Sequence, residues 1–209
     1  MKKLPSLFFG ILVLFGSAWI GVVAYSYNNL SVLEPLPDEE TGGTLPPTLP
    51  GLAVIGEKVY AANGCVECHS QQVRLAPLTT DIAKELGKRQ TVARDYLRRT
   101  TAFPGSNRTG QDLSNYGARN DDANAIHKKL YAPRSVVPWS TMPSYSYLYE
   151  VRKIQGQPSN ESVVGLTGAA APKPGYEVVP TQKAKALAAY LLSLNQSYAL
   201  PEAPPPPAQ

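Results

Sequence analysis

The stretch Gly64-Cys65-Val66-Glu67-Cys68-His69 holds the only two cysteines of the 209-residue chain, at Cys-x-x-Cys-His spacing. That spacing attaches a c-type haem. Each thiol adds to one vinyl group, the two intervening residues set the separation of the thioether bonds, and His69 is brought beneath the iron as proximal ligand. Two rivals fit less well. A zinc site would want further thiolates or imidazoles, and the only other histidine is His127. A thioredoxin-like pair needs a strand before it, whereas the residues before Cys65 have helical spacing. With both thiols committed to one covalently attached haem c, no structural disulfide is available. The macrocycle then forms a large part of the core, and the haem-free protein is expected to be poorly folded.

An electron carrier needs a sixth iron ligand. Of two methionines Met1 starts the chain, which leaves Met142 in Ser140-Thr141-Met142-Pro143. A proline-punctuated loop suits a thioether ligand, which raises the haem potential and leaves no vacant site. A methionine filling an apolar gap is the competing reading. His127, in Ala125-Ile126-His127-Lys128-Lys129, falls on a polar helix face, where a solvated or hydrogen-bonded role is expected.

Lys2 and Lys3 precede an uncharged run from Leu4 to Tyr25, about the 20 residues that cross a bilayer as a helix. The charge bias predicts a single-pass anchor in the inner (cytoplasmic) membrane, with the haem domain on the periplasmic, outer side. A cleaved signal peptide ending near Ala24-Tyr25-Ser26 competes. The run is longer than a signal core of about 7–15 residues, and Trp19, Tyr25 and Tyr27 suit a membrane interface. The net charge of +4 is spread among acidic residues, and no nucleic-acid partner is expected.

The predicted organisation is an anchor over 1–29, a proline-rich linker over 30–51, a domain over 52–198 and a proline-rich tail over 199–209, disordered or laid against a partner. Within the domain, Leu52 to Asn63 places Ile55, Val59 and Ala62 on one helical face, with Gly64 as its stop. Thr181 to Asn195 places Leu187, Tyr190, Leu191 and Leu194 on another. The two helices are expected to cross, Gly56 and Tyr60 allowing close approach near Tyr190. Thr80 to Thr101 reads as modestly helical, with Ile82, Leu86, Val92 and Tyr96 inward, and Asp121 to Tyr131 as a short helix. Glycine, serine, alanine and proline dominate 155–180, which reads as an inserted flexible loop. The expected class is all-α.

Three ordered blocks extend the haem motif: Gly64-Cys65-Val66-Glu67-Cys68-His69-Ser70-Gln71 with Arg74; Gly105-Ser106-Asn107-Arg108-Thr109-Gly110-Gln111-Asp112-Leu113 with Gly117 and Arg119; and Pro133-Arg134-Ser135-Val136-Val137-Pro138-Trp139-Ser140-Thr141-Met142-Pro143-Ser144-Tyr145. Together they resemble the membrane-anchored mono-haem cytochrome c subunit of cbb-type, or C-family, haem-copper oxidases, the FixO/CcoO type. The likeness runs from about Gly56 to Tyr149, and it implies a class I cytochrome c fold with Met142 as distal ligand. It further implies that the subunit does no bond-making chemistry. Electrons come from a donor cytochrome c and leave for the catalytic haem-copper subunit, the other oxidase subunits and the lipid bilayer being the remaining partners. The chain departs from the family at Gln111, where a proline usually offers its carbonyl to the second nitrogen of the proximal histidine. Gln111 keeps a carbonyl and loses the fixed backbone angle. The stretch 152–180 is also unlike the family. A nitric oxide reductase subunit, another respiratory complex, a free-standing shuttle, or a gas-binding protein with an open sixth site are the alternative readings. Arg74, Arg108, Arg119 and Arg134 are candidates for holding haem propionates or a subunit interface, against plain solvation.

Overall fold

The uncharged amino-terminal run forms one helix, α1 (Leu4–Leu30), none of it buried in the protein. Its 27 residues at about 1.5 Å each reach about 40 Å, more than the ~30 Å of a hydrocarbon layer. The computed structural model describes residues 4–75 and 77–204. Lys2, Lys3 and the tail from Pro205 lie outside it.

The linker is folded against the domain rather than extended as a free spacer. Two short strands, β1 (Leu36–Pro37) and β2 (Thr44–Leu45), pair antiparallel with Leu36 opposite Leu45. Pro46 is fully buried and Leu49 packs on the main core. Arg94 donates through Nη1 to the Glu34 carbonyl, while its Nε meets Glu202 at 2.5 Å. One guanidinium thus joins the linker to the start of the tail, and Leu200 and Ala203 are buried there. Up to Pro204, the tail is therefore part of the packed body.

The core of the domain is the crossing of α2 (Gly51–Ala62) with a carboxy-terminal helix over Gln182–Ser193. A β-carbon at Gly56 would lie 1.9 Å from the Ala186 carbonyl oxygen and 2.6 Å from Tyr190 Cβ, so only glycine permits the contact. The crossing is the expected one, but the buried face of α2 is different. It consists of Ala53, Gly56, Glu57, Val59 and Tyr60, whereas Ile55 is 54% exposed. Backbones this close require small residues between them, and a branched side chain at 55 would hold them apart. Around the crossing, Tyr60 packs on Phe103 and on Tyr190, ring centroids 5.4 Å apart in both pairs.

The short helix predicted from Asp121 is present as α3 (Ala123–Tyr131), with the Asp122 carboxylate accepting from the Asn124 N–H as its cap. Single helical turns at Tyr116–Arg119 and Pro133–Val136 flank it. The helix Gln182–Ser193 is α4, and the Thr181 hydroxyl caps it. His127 does not sit on a solvated face. It is 9% exposed, among Ile126 and Leu130, with Nδ1 2.9 Å from the Tyr149 hydroxyl.

Three expectations are corrected. The domain is not all-α: β3 (Tyr149–Lys153) pairs antiparallel with β4 (Tyr176–Pro180), Val151 opposite Val178. Residues 155–180 are therefore not simply a flexible insertion. Their last part is a strand with Val178 fully buried, and Val163 N–H bonds to the Val178 carbonyl. Branched side chains that fit a pleated surface explain β4. The stretch Thr80–Thr101 forms turns and one 3-10 turn at Ala93–Tyr96 instead of a helix. What organises it is polar. Arg89 and Asp95 pair at 2.7 Å with side chains essentially inaccessible, Arg89 Nε donates to the Tyr198 carbonyl, and the Tyr198 hydroxyl donates to Asp95. Ile82, Leu86, Val92 and Tyr96 are only half-buried.

Candidate functional site

Helix α2 stops because Gly64 takes a positive φ of 65°, which glycine adopts without a Cβ penalty. The chain then turns through a 3-10 turn at Cys65–Glu67, with the Cys68 and His69 N–H groups both donating to the Cys65 carbonyl. This brings two half-buried thiols and an imidazole to one end of the core. Burial pushes the Cys65 thiol up to about 11, against the pull of a hydrogen bond with Tyr145.

The imidazole is held from two directions. His69 Nδ1–H donates to the Gln111 carbonyl at 2.8 Å, so the bond expected despite the missing proline is formed. Gly110 lies against the ring face. A β-carbon there would stand 2.3 Å from Cε1, 2.6 Å from Nδ1 and 2.8 Å from Nε2. The Gly110 N–H reaches back to the Cys68 carbonyl at 2.8 Å, and the Leu113 N–H to the Ser70 carbonyl at 2.8 Å, which stitches the motif to the block around 110.

Asp112 is the knot of this stitching. Nearly inaccessible, its carboxylate accepts from Ser70 Oγ at 2.6 Å, the Gln72 N–H at 2.8 Å and both the N–H and hydroxyl of Ser114. Arg108 is adjacent at 3.4 Å and places Nη1 2.6 Å from Asp81. Burial alone would raise the Asp81 carboxyl, but the Arg108 guanidinium and the Arg74 N–H hold it below the usual carboxylate range. Arg108 is thus turned into the protein, committed to two carboxylates and to the Gln72 carbonyl. Arg119 faces main-chain acceptors of the 111–115 segment, and Arg134, exposed, donates to the Ser140 carbonyl at 3.3 Å. These carboxylate braces are invisible to a reading of the motif alone. The one signal was the recurrence of charged residues inside the matching blocks.

Met142 is half-buried on the same apolar cluster as Cys65, Val66, Tyr131 and Tyr145, with its N–H bonded to Ser140 Oγ at 3.2 Å. A cleft of about 910 Å³ adjoins it, and Thr167–Ala170 of the long segment lines the far wall. The structure therefore gathers Cys65, Cys68 and His69 in one turn and seats Met142 on the core that Cys65 also touches. His127 is elsewhere engaged and does not join them.

These residues fit a haem. Two unpaired thiols stand one turn apart, the neighbouring imidazole has Nδ1 engaged, and among the described residues Nε2 makes no hydrogen bond. That donor set, two thiols beside an imidazole oriented through Nδ1, is one that suits a haem. Residues 39–172 match the family described as cytochrome c oxidase, mono-heme subunit/FixO, and the chain belongs to that family. Membership makes it a one-haem accessory subunit of an oxidase complex, and α1 fits a single-pass membrane anchor. No curated protein matches the chain.

Proposed function

We propose that the chain is the membrane-anchored electron-relay subunit of a cbb-type haem-copper oxidase, built on a class I cytochrome c domain. The observation that carries this reading is the braced imidazole: His69 follows Cys65 and Cys68 in one turn, and Gln111 and Gly110 fix its ring. When bound, the haem supplies a single-electron couple at the iron. Cys65 and Cys68 would hold it by thioether bonds, and His69 Nε2 and Met142 Sδ would be its iron donors. Asp112 and Arg108 keep the segments on either side of the imidazole from moving apart. Arg108, paired to Asp81 and Asp112, does not serve a propionate. The electron arrives from a donor cytochrome c and passes to the catalytic haem-copper subunit. The subunit breaks no bond itself, and α1 keeps the domain at the outer face of the membrane.

The test is purification in mild detergent with haem analysis before and after acid extraction. Covalently retained haem, one per chain, copurifying with a multi-span haem-copper subunit is the expected result. Haem lost on extraction, or isolation without oxidase subunits, refutes attachment or assembly respectively. Met142→Ala is expected to turn the reduced haem high-spin and reactive to carbon monoxide. An unchanged low-spin spectrum removes Met142 as a ligand.

A further inference from the structure

We propose that Arg119 is a positioning residue for the proximal imidazole, supplying by hydrogen bonds the backbone rigidity that Gln111 does not have. The inference rests on His69 being an iron ligand. The His69 bond ends on the carbonyl of Gln111, an exposed residue with no ring to restrict its backbone. Left alone, such a carbonyl exchanges between the imidazole and water.

Arg119 bears on the peptide units beside it. Its Nη2 donates to the Asp112 carbonyl at 3.0 Å, its Nε to the Asn115 carbonyl at 3.2 Å, and its Nη1 reaches the Gln111 side-chain oxygen at 3.5 Å. One planar fork therefore spans residues 111, 112 and 115, and the Tyr116 ring, 6.0 Å from its Cζ, backs it. The Asp112 carboxylate is tied separately, to Ser70, Gln72 and Ser114. Of the groups around this segment, Arg119 is the one that fixes the main-chain carbonyl following the acceptor. A lysine keeps the charge but has no fork and cannot engage three acceptors in fixed directions. Because Arg119 is itself exposed, replacing it leaves the core intact.

The consequence reaches the iron through His69. A firm Nδ1–H···O=C bond makes the ring a stronger donor and favours the ferric state, so a loosened bond raises the midpoint potential. The test uses the full-length haem-loaded chain in its detergent-solubilised complex, as wild type, Arg119→Lys, Gln111→Pro and the double variant. The Gln111 N–H donates to nothing among the described residues, so proline there removes no hydrogen bond. Arg119→Lys is expected to raise the midpoint potential and to speed amide exchange over 110–115 about fivefold, the change that goes with one lost hydrogen bond. In the Gln111→Pro background both effects should shrink by half or more.

An unchanged potential and unchanged exchange in Arg119→Lys, with haem covalently bound and low-spin, overturns the inference. So does an equal shift in both backgrounds, which shows that the effect does not pass through the backbone at Gln111. Should Gln111→Pro not assemble, exchange in Arg119→Lys decides alone. A wild-type chain without covalent low-spin haem refutes the ligand reading instead.

Discussion

Replacing Gly110 with alanine puts a methyl group into the face of the His69 imidazole. On the existing backbone that carbon stands 2.3 Å from Cε1. Non-bonded carbons settle at about 3.5 Å, so ring and loop must part by about 1 Å. The φ of Gly110 is not among the positive ones, so the whole effect is steric. The His69–Gln111 bond now measures 2.8 Å, and such an opening carries it beyond the ~3.2 Å limit of an N–H···O bond. Losing it costs about 1 kcal/mol, and overpacking adds about 1–3 kcal/mol. A total of about 2–4 kcal/mol corresponds to a melting point lower by about 5–15 °C in a domain of this size. The assay is a melt followed by haem absorbance, with the spin state read beforehand. Gly51→Ala is the control, because nothing lies within 4 Å of a β-carbon there. A Gly110→Ala protein that melts with the wild type and keeps an unaltered low-spin spectrum refutes the reasoning.

Gly56→Ala forces α2 and α4 apart at the Ala186 carbonyl. A loss of about 1–3 kcal/mol in denaturant titration is expected, net of better helix propensity. Arg108→Gln leaves Asp81 and the buried Asp112 without their cation, and about 3 kcal/mol of destabilisation is expected. Equal stability of the variant would return Arg108 to the surface. Burial, aided by Lys185, lowers the pKa of His127. Unfolding then takes up a proton, so stability is complete above the unfolded value of about 6.5 and falls as pH drops through it toward the folded value. His127→Gln should flatten stability against pH in that window. Asp81 works at lower pH: its depressed carboxyl stabilises above the ordinary carboxylate range and ceases to as pH falls through its lowered value. Asp81→Asn should remove that acid-side slope from the unfolding curve.

Local signals were legible in the sequence where one segment settled its own conformation. Gly64 as a stop and Thr181 opening α4 each need only neighbouring residues, and the short helix read from Asp121 opens one residue on, at Asp122. The crossing at Gly56 was also readable, because a glycine among apolar residues suggests close contact. What escaped was long-range. Arg89 with Asp95 and Tyr198, or Arg108 with Asp81, are partners that only the fold brings together. Strand β4 escaped because its partner lies across a long segment rich in glycine and proline, which by itself reads as a loop. His127 was misplaced because Lys128 and Lys129 made its side of the helix look wet. The Gln111 carbonyl shows the opposite case. The residue type changed and the interaction survived, since a main-chain oxygen is present whatever the side chain.

The grip of Arg94 on Glu34 and Glu202 makes the tether behave as a mast rather than a rope. Only residues 31–33 then separate the end of α1 from a linker joined to the body that carries His69, which shortens the free tether. Cutting that grip with Arg94→Ala would lengthen the free tether, and residues 31–50 should then be cleaved faster in limited proteolysis.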